Sequence, residues 1–114
     1  MGNVGKSRNP LHILRSFGVD VEKGGGMLLV LLTADIVSEW EKAGKPTACA
    51  SQCIAALAVE MGKHRGEICG RMTHAAKPIL TADVLTLEQY GLRLKRRTAP
   101  ELAERFAEMI YKGS

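Results

Sequence analysis

Apolar residues along most of the chain recur every three or four positions, which is the spacing of one face of an α-helix. In the interval 27–42 this pattern continues as far as Trp40 and stops before Gly44, a common helix ending. Residues 27–32 are continuously apolar and would also suit a buried strand. Because the helical spacing continues beyond them, we predict a helix over 27–42.

A second, longer helical pattern follows Thr47. Its apolar stripe consists of Ile54, Leu57, Met61, Ile68 and Met72. Thr47 is expected to cap the helix, and Pro78 to end it, because the residue before a proline avoids the helical conformation. The interval 48–76 is therefore predicted as one helix of about 43 Å, at roughly 1.5 Å per residue. A break between Gly62 and Gly70, giving two helices, is the alternative.

Glycines spaced four residues apart form a row in this interval, and Ala58 extends the row by one turn. On a helix such positions lie nearly above one another, so the row would be a ridge with almost no side chains. Each glycine costs about 1 kcal/mol of helix stability relative to alanine, so we expect a second backbone packed closely against the ridge. The predicted protein interface consists of Ala58, Met61, Gly62, Gly66, Gly70 and Met72. A homodimer in which this helix crosses its own copy would satisfy the ridge.

The N-terminal region is expected to hold a short helix and a joint. Residues 1–8 are polar and basic, and are predicted to be flexible. Asn9 suits the N-cap and Pro10 the first position of a helix that ends near Gly18. The segment 19–26 contains three consecutive glycines and is predicted to be a flexible joint.

Two further helices are predicted in the C-terminal third. Thr81 or Asp83 would cap the first, which extends to about residue 97, although a short strand over 92–95 is an alternative. The second is expected to begin with a capping box formed by Thr98 and Glu101. Its predicted buried face consists of Leu102, Phe106, Met109 and Ile110.

These elements predict an all-α fold of four to five helices packed around one long central helix. The 114 residues are the length of a single domain, which we place at 9–114 after the flexible segment 1–8. Aromatic residues make up only 4% of the chain, so the core is expected to be mainly aliphatic.

The chain carries a small excess of bases, with a formal net charge of +4. The densest basic stretch contains Arg93, Lys95, Arg96 and Arg97. These side chains could contact phosphates, which is a sequence-independent mode of nucleic-acid binding. The alternative is a helix C-terminus that carries the positive charge its dipole favours.

Three cysteines, an odd number, suggest free thiols in a reducing compartment, and we expect a cytoplasmic protein without a membrane span. Cys49 and Cys53 are one helical turn apart, but His64 would lie too far along the helix axis to share a metal with them. Cys69 is five residues from both His64 and His74, a poor spacing for direct contact. We therefore predict buried thiols and assign no catalytic, cofactor-binding or metal-binding residue.

These features favour a small non-enzymatic regulatory protein that binds another protein through an apolar helix face. One concrete form is an antiactivator-type inhibitor that covers a transcription factor's dimerisation or DNA-binding surface. The alternative is a nucleic-acid-binding regulator that uses the basic segment 93–97. A third possibility, an enzyme or redox protein using its cysteines, would require reactive thiols.

Overall fold

The computed structural model describes residues 9–113, which form six α-helices and no strand. The helices are α1 (Pro10–Ser16), α2 (Gly24–Ala43), α3 (Ala50–Met61), α4 (Arg65–Leu80), α5 (Val84–Gln89) and α6 (Ala99–Gly113). The predicted all-α fold is confirmed, with six helices rather than four or five. The prediction of a flexible segment over 1–8 lies outside the described residues.

The central helix is α2, which is 20 residues long and packs against α3, α4 and α6. One face of α2 is continuously buried and includes Leu29, Leu32 and Ile36. A single hydrophobic core contains buried residues from all six helices, and Phe106 of α6 is its largest fully buried side chain. The helix predicted over 27–42 is confirmed as α2, and it occupies the central place that we assign from sequence to the interval 48–76.

The interval 48–76 is not one helix, because α3 ends at Gly62. Gly62 has a φ of +66°, a left-handed conformation that glycine adopts without steric cost. The Gly62 N–H donates to Val59 O at 3.1 Å and the Lys63 N–H donates to Ala58 O at 2.9 Å, which closes the last turn. The prediction of one long helix is therefore wrong, and the two-helix alternative is correct.

The predicted start and end of the interval 48–76 also differ from the observed helix ends. The N-cap position of α3 is Cys49, whereas Thr47 uses its carbonyl oxygen to accept a hydrogen bond of 2.8 Å from Trp40 Nε1. Pro78 lies in the last turn of α4, which continues to Leu80. A proline so close to a helix end disturbs only the final turn, so it does not stop the helix at residue 77.

The N-terminal helix matches its prediction, but the glycine-rich joint does not. Asn9 Oδ1 accepts hydrogen bonds from the backbone N–H groups of Leu11 at 2.9 Å and His12 at 3.3 Å, which confirms the N-cap. The three glycines at 24–26 form the first turn of α2 instead of a flexible joint. Gly25 is packed against α4, which explains the absence of a side chain there.

In the C-terminal third, Asp83 caps α5 by accepting a hydrogen bond of 2.7 Å from the Thr86 N–H. This helix ends at Gln89, and residues 92–98 form a loop rather than the predicted helix or strand. On α6, Leu102 and Phe106 are buried as predicted. Met109 is only half-buried and Ile110 is 40% exposed, so the predicted apolar face is wrong at its C-terminal end. None of the helices within 9–113 combines the length and hydrophobicity needed to cross a bilayer.

Candidate functional site

The structure does not bring the six predicted interface residues onto one surface. Ala58 and Met72 belong to the core, and Met61 is half-buried. The three glycines Gly62, Gly66 and Gly70 are exposed, and Gly62 is a helix-ending residue rather than part of a ridge. A Cβ atom added at Gly66 or Gly70 would meet no described atom within 4 Å other than its chain neighbours and the backbone of its own helix. Nothing in the described chain covers these two positions, so self-association there stays a prediction.

The basic segment 93–97 lies in the loop between α5 and α6. Arg93, Lys95 and Arg96 are exposed. Arg97 has a structural role, because its Nη1 donates to Ala82 O at 2.6 Å and to Leu80 O at 3.2 Å. The guanidinium therefore lies at the C-terminus of α4, where positive charge is favourable. Arg97 therefore interacts favourably with a helix dipole, as the alternative interpretation of the basic stretch proposes. The helix is α4, however, and not a helix that contains Arg97 itself.

This loop is held against α6 by the carboxylate of Glu101. Its Oε2 accepts from the Lys95 N–H at 2.7 Å, and its Oε1 accepts from the Arg96 N–H. Only half of the predicted capping box forms. The Glu101 N–H donates to Thr98 Oγ1 at 3.3 Å, but the Glu101 carboxylate accepts from the N–H groups of Lys95 and Arg96 instead of from Thr98. Two exposed backbone donors are thereby satisfied, and the backbone of the loop is anchored to α6 at residues 95 and 96.

A groove runs between α5 with its following loop on one side and α6 on the other. It consists of two adjoining depressions with volumes of about 620 and 550 Å³. Both depressions are lined by Glu88, Leu92, Arg93 and Arg105, so they adjoin at these four residues. We call this surface the α5–α6 groove.

The α5–α6 groove combines apolar and basic side chains. The apolar residues that line it are Val84, Leu87, Leu92, Leu94 and Met109. The basic residues are Arg93, Lys95, Arg97, Arg105 and Lys112, against two acidic residues, Glu88 and Glu108. Such a surface favours an anionic ligand that also has apolar groups.

Arg105 lies where the two depressions meet. Its Nη2 is 3.3 Å from Glu108 Oε2 and 3.9 Å from Glu104 Oε1. Its Nε is buried and has no hydrogen-bond acceptor within the described structure. A buried donor without a partner costs about 1–3 kcal/mol, so this guanidinium is incompletely paired in the isolated chain.

Two large apolar side chains at the start of α5 are exposed. Val84 is 58% exposed and lines the groove, and the adjacent Leu85 is 73% exposed. No sequence pattern predicts these two residues, Leu94 or Arg105 as part of a site. The available signal is weak: Val84 and Leu85 form an apolar pair directly after the Asp83 cap, where neither is required for the buried stripe of α5.

Two of the three cysteines lie side by side in the core. Cys49 and Cys53 are buried, as predicted, with their Sγ atoms 3.9 Å apart. Burial raises the pKa of the Cys53 thiol to about 12, and the Cys49 thiol and the Asp35 and Glu39 carboxylates contribute to the shift. Cys69 is half-buried rather than buried. Within residues 9–113, no cluster of three or more His, Cys, Asp or Glu side chains is arranged to hold a metal ion.

Comparisons of the chain with protein-family models, with curated proteins and with solved structures found no match.

Proposed function

We propose that this chain is a small non-enzymatic regulatory protein that binds another protein through the α5–α6 groove. One observation carries the proposal: two adjoining depressions have apolar and basic lining residues, and Val84, a large apolar side chain that lines one of them, is exposed. Protein-binding surfaces commonly combine an apolar centre with polar and arginine-rich surroundings.

Burial of the exposed edge would contribute to binding. Val84 and Leu85 are the most exposed large apolar side chains next to the groove. Complete burial of a side chain of this size is worth about 1.5–3 kcal/mol. A partner that covers both residues would therefore gain affinity from α5 as well as from the groove itself.

The proposal also includes the class of the partner protein and the self-association of the chain. The first is that the partner is a transcription factor whose dimerisation or DNA-binding surface becomes covered. The second is that the protein self-associates through Gly66 and Gly70, the part of the predicted interface that remains uncovered on α4. Light scattering of the purified chain, with Gly66→Leu as the comparison, tests the second point directly.

Nucleic-acid binding is the alternative function. Three exposed bases in one loop, Arg93, Lys95 and Arg96, support it. Two acidic residues, Glu88 and Glu108, also line the groove and would repel any anionic ligand, so they do not distinguish the two functions. The loss of binding with added salt distinguishes the two functions, since release of counterions from several phosphates gives a steep dependence.

Site-specific photocrosslinking in the native host tests the proposal. A photoreactive residue at Leu85 is expected to form an adduct with one protein, and the adduct should disappear when Arg93 is changed to Glu. The same photoreactive residue at exposed Glu41 on α2 is the control, because Glu41 lies outside the groove. An adduct at Leu85 that is insensitive to Arg93→Glu contradicts the groove, and an adduct removed by nuclease favours the alternative function.

A further inference from the structure

We infer that the α5–α6 groove binds an acidic amphipathic segment of another protein, with a carboxylate of that segment on the Arg105 guanidinium. This inference rests on the proposed function and specifies the chemistry of the partner. Three independent features of the groove support it: unpaired basic side chains, an incompletely paired arginine, and apolar side chains between them.

The first feature is a pair of basic side chains that form no ion pair. All ion pairs in the described part of the chain use Lys42, Lys63, Arg71 or Arg105 as the base. Arg93 and Lys95 therefore line the groove with no carboxylate of the described residues within ion-pair distance. An acidic ligand would supply the missing negative charge, which gives specificity and accelerates association.

The second feature is the guanidinium of Arg105. Its two acidic neighbours, Glu104 and Glu108, both approach Nη2 and leave Nε without an acceptor. Carboxylates bind arginine best through two parallel hydrogen bonds, so the intramolecular pairing is incomplete. The side chain is 30% exposed and lines both depressions, so the guanidinium can be reached from the groove. A ligand carboxylate can replace Glu108 and satisfy the arginine more fully.

The third feature separates a peptide from a nucleic acid. Leu94 and Met109 are half-buried and Val84 is exposed, so apolar surface lies between the basic positions. No aromatic side chain is among the described residues that line the groove, so stacking of bases has no platform there. Aliphatic or aromatic side chains of a peptide, spaced between its acids, fit this pattern instead.

Selection from a phage-displayed library of random peptides tests the inference without a known partner. The bait is the purified full-length chain, and peptides that also bind the Arg93→Gln variant are removed. We expect the remaining sequences to combine at least two acidic residues with leucine, isoleucine or phenylalanine. A labelled synthetic copy of one such peptide then serves as the probe in fluorescence anisotropy.

Two substitutions should move the affinity of this probe in opposite directions. Arg105→Gln is expected to weaken binding about tenfold, the loss of one charge-assisted hydrogen bond. Glu108→Gln is expected to strengthen binding, because it removes the carboxylate that competes for Arg105. Arg71→Gln is the matched control: Arg71 is also a helical arginine paired with a glutamate, but it lies outside the groove, and its loss should leave binding unchanged. A merely structural role of Arg105 would not predict the gain with Glu108→Gln.

The outcomes separate the inference from the proposed function. Groove-dependent peptides that are neutral or basic overturn the inference and leave the proposed function intact. If no selected peptide depends on Arg93 or Arg105 while a single-stranded DNA 20-mer binds with a steep salt dependence, both are overturned. If Arg105→Gln unfolds the chain by circular dichroism, Lys95→Gln, at an exposed groove position that was not used in the selection, must show the weakening, and unchanged affinity there also overturns the inference.

Discussion

Gly25 of α2 lies directly against the backbone carbonyl group of Arg71 in α4. A methyl group at position 25 would overlap this carbonyl and would come within 2.9 Å of the Ala75 Cβ atom. The contact explains why position 25, in the first turn of α2, is glycine although glycine is a poor helix former. A close helix crossing therefore exists within this chain, but it is formed at Gly25 and not at the predicted row of Gly62, Gly66 and Gly70.

Gly25→Ala is therefore expected to destabilise the fold by about 3 kcal/mol, because backbone atoms cannot yield as a flexible side chain can. Gly70→Ala is the matched control, since it lies exposed inside α4 with no described atom within 4 Å of the added methyl group. We expect the control to stabilise the protein by about 0.5–1 kcal/mol. Urea unfolding followed by circular dichroism measures both, and equal effects of the two substitutions would contradict the packing at Gly25.

The two hydrogen bonds of Arg97 give a second prediction. Arg97→Ala removes the donor to the carbonyl groups of Leu80 and Ala82, so we expect a loss of about 1–2 kcal/mol of unfolding free energy. Its neighbour Arg96 is also exposed, and its role in the loop uses the backbone N–H rather than the side chain. Arg96→Ala should therefore stay within about 0.5 kcal/mol of the wild type. A larger loss for Arg96→Ala than for Arg97→Ala in urea unfolding would show that the assigned roles are reversed.

Asp35 gives a prediction on pH. Burial raises the pKa of the Asp35 carboxyl group from its ordinary 3.8, and the nearby Glu60 and Glu39 carboxylates raise it further. A raised pKa in the folded state means that the neutral form is favoured: this contribution to stability is complete below pH 3.8 and is lost as the pH rises through the raised value. At pH 7 ionised Asp35 therefore opposes folding.

Asp35→Asn should accordingly raise the unfolding free energy at pH 7, and the gain should shrink as the pH falls below the raised pKa. Glu41→Gln, at an exposed position of the same helix, controls for the general effect of removing one negative charge. Thermal unfolding of the three proteins between pH 3 and pH 7 is the measurement. If the gain in unfolding free energy for Asp35→Asn does not change with pH, the ionisation of Asp35 is not its cause.

The thiols should differ in reactivity. A thiolate is the reacting species, so burial and a pKa of about 12 make Cys53 slow at pH 8, and Cys49 is buried beside it. Half-buried Cys69 should react first with an aromatic disulfide reagent. We expect one fast thiol and two slow thiols in the native protein, three fast thiols in urea, and loss of the fast native phase in Cys69→Ser. A fast phase that persists in Cys69→Ser would mean that the Cys49–Cys53 pair is accessible.

Helix positions could be predicted from the sequence where local signals act alone. Asn9 and Asp83 cap α1 and α5 with their own side chains, as their positions before apolar runs indicate. Gly62 is different, because glycine at that spacing is compatible both with a helix-packing ridge and with a left-handed helix end. Only the packing of α3 and α4 against α2 decides between the two.

The candidate site could not be predicted from sequence patterns, because it also depends on how the helices pack. Arg93 and Arg105 are twelve positions apart and face the same groove only because α5 ends at Gln89 and the chain turns back onto α6. The basic stretch can be recognised in the sequence. Which of its arginines has a structural role cannot, because Arg97 is held by carbonyl groups at the end of α4 whose position depends on the fold.

The carboxylate of Glu101 has a consequence for any molecule that enters the groove. Both of its oxygens tie residues 95 and 96 to α6, so one wall of the groove is immobilised when the chain folds. Ordering a free backbone costs about 1–2 kcal/mol per residue, and here that entropy is lost before a ligand arrives. Affinity then depends on how well a ligand fits the existing shape of this wall. A ligand that requires residues 95 and 96 to move would bind more weakly.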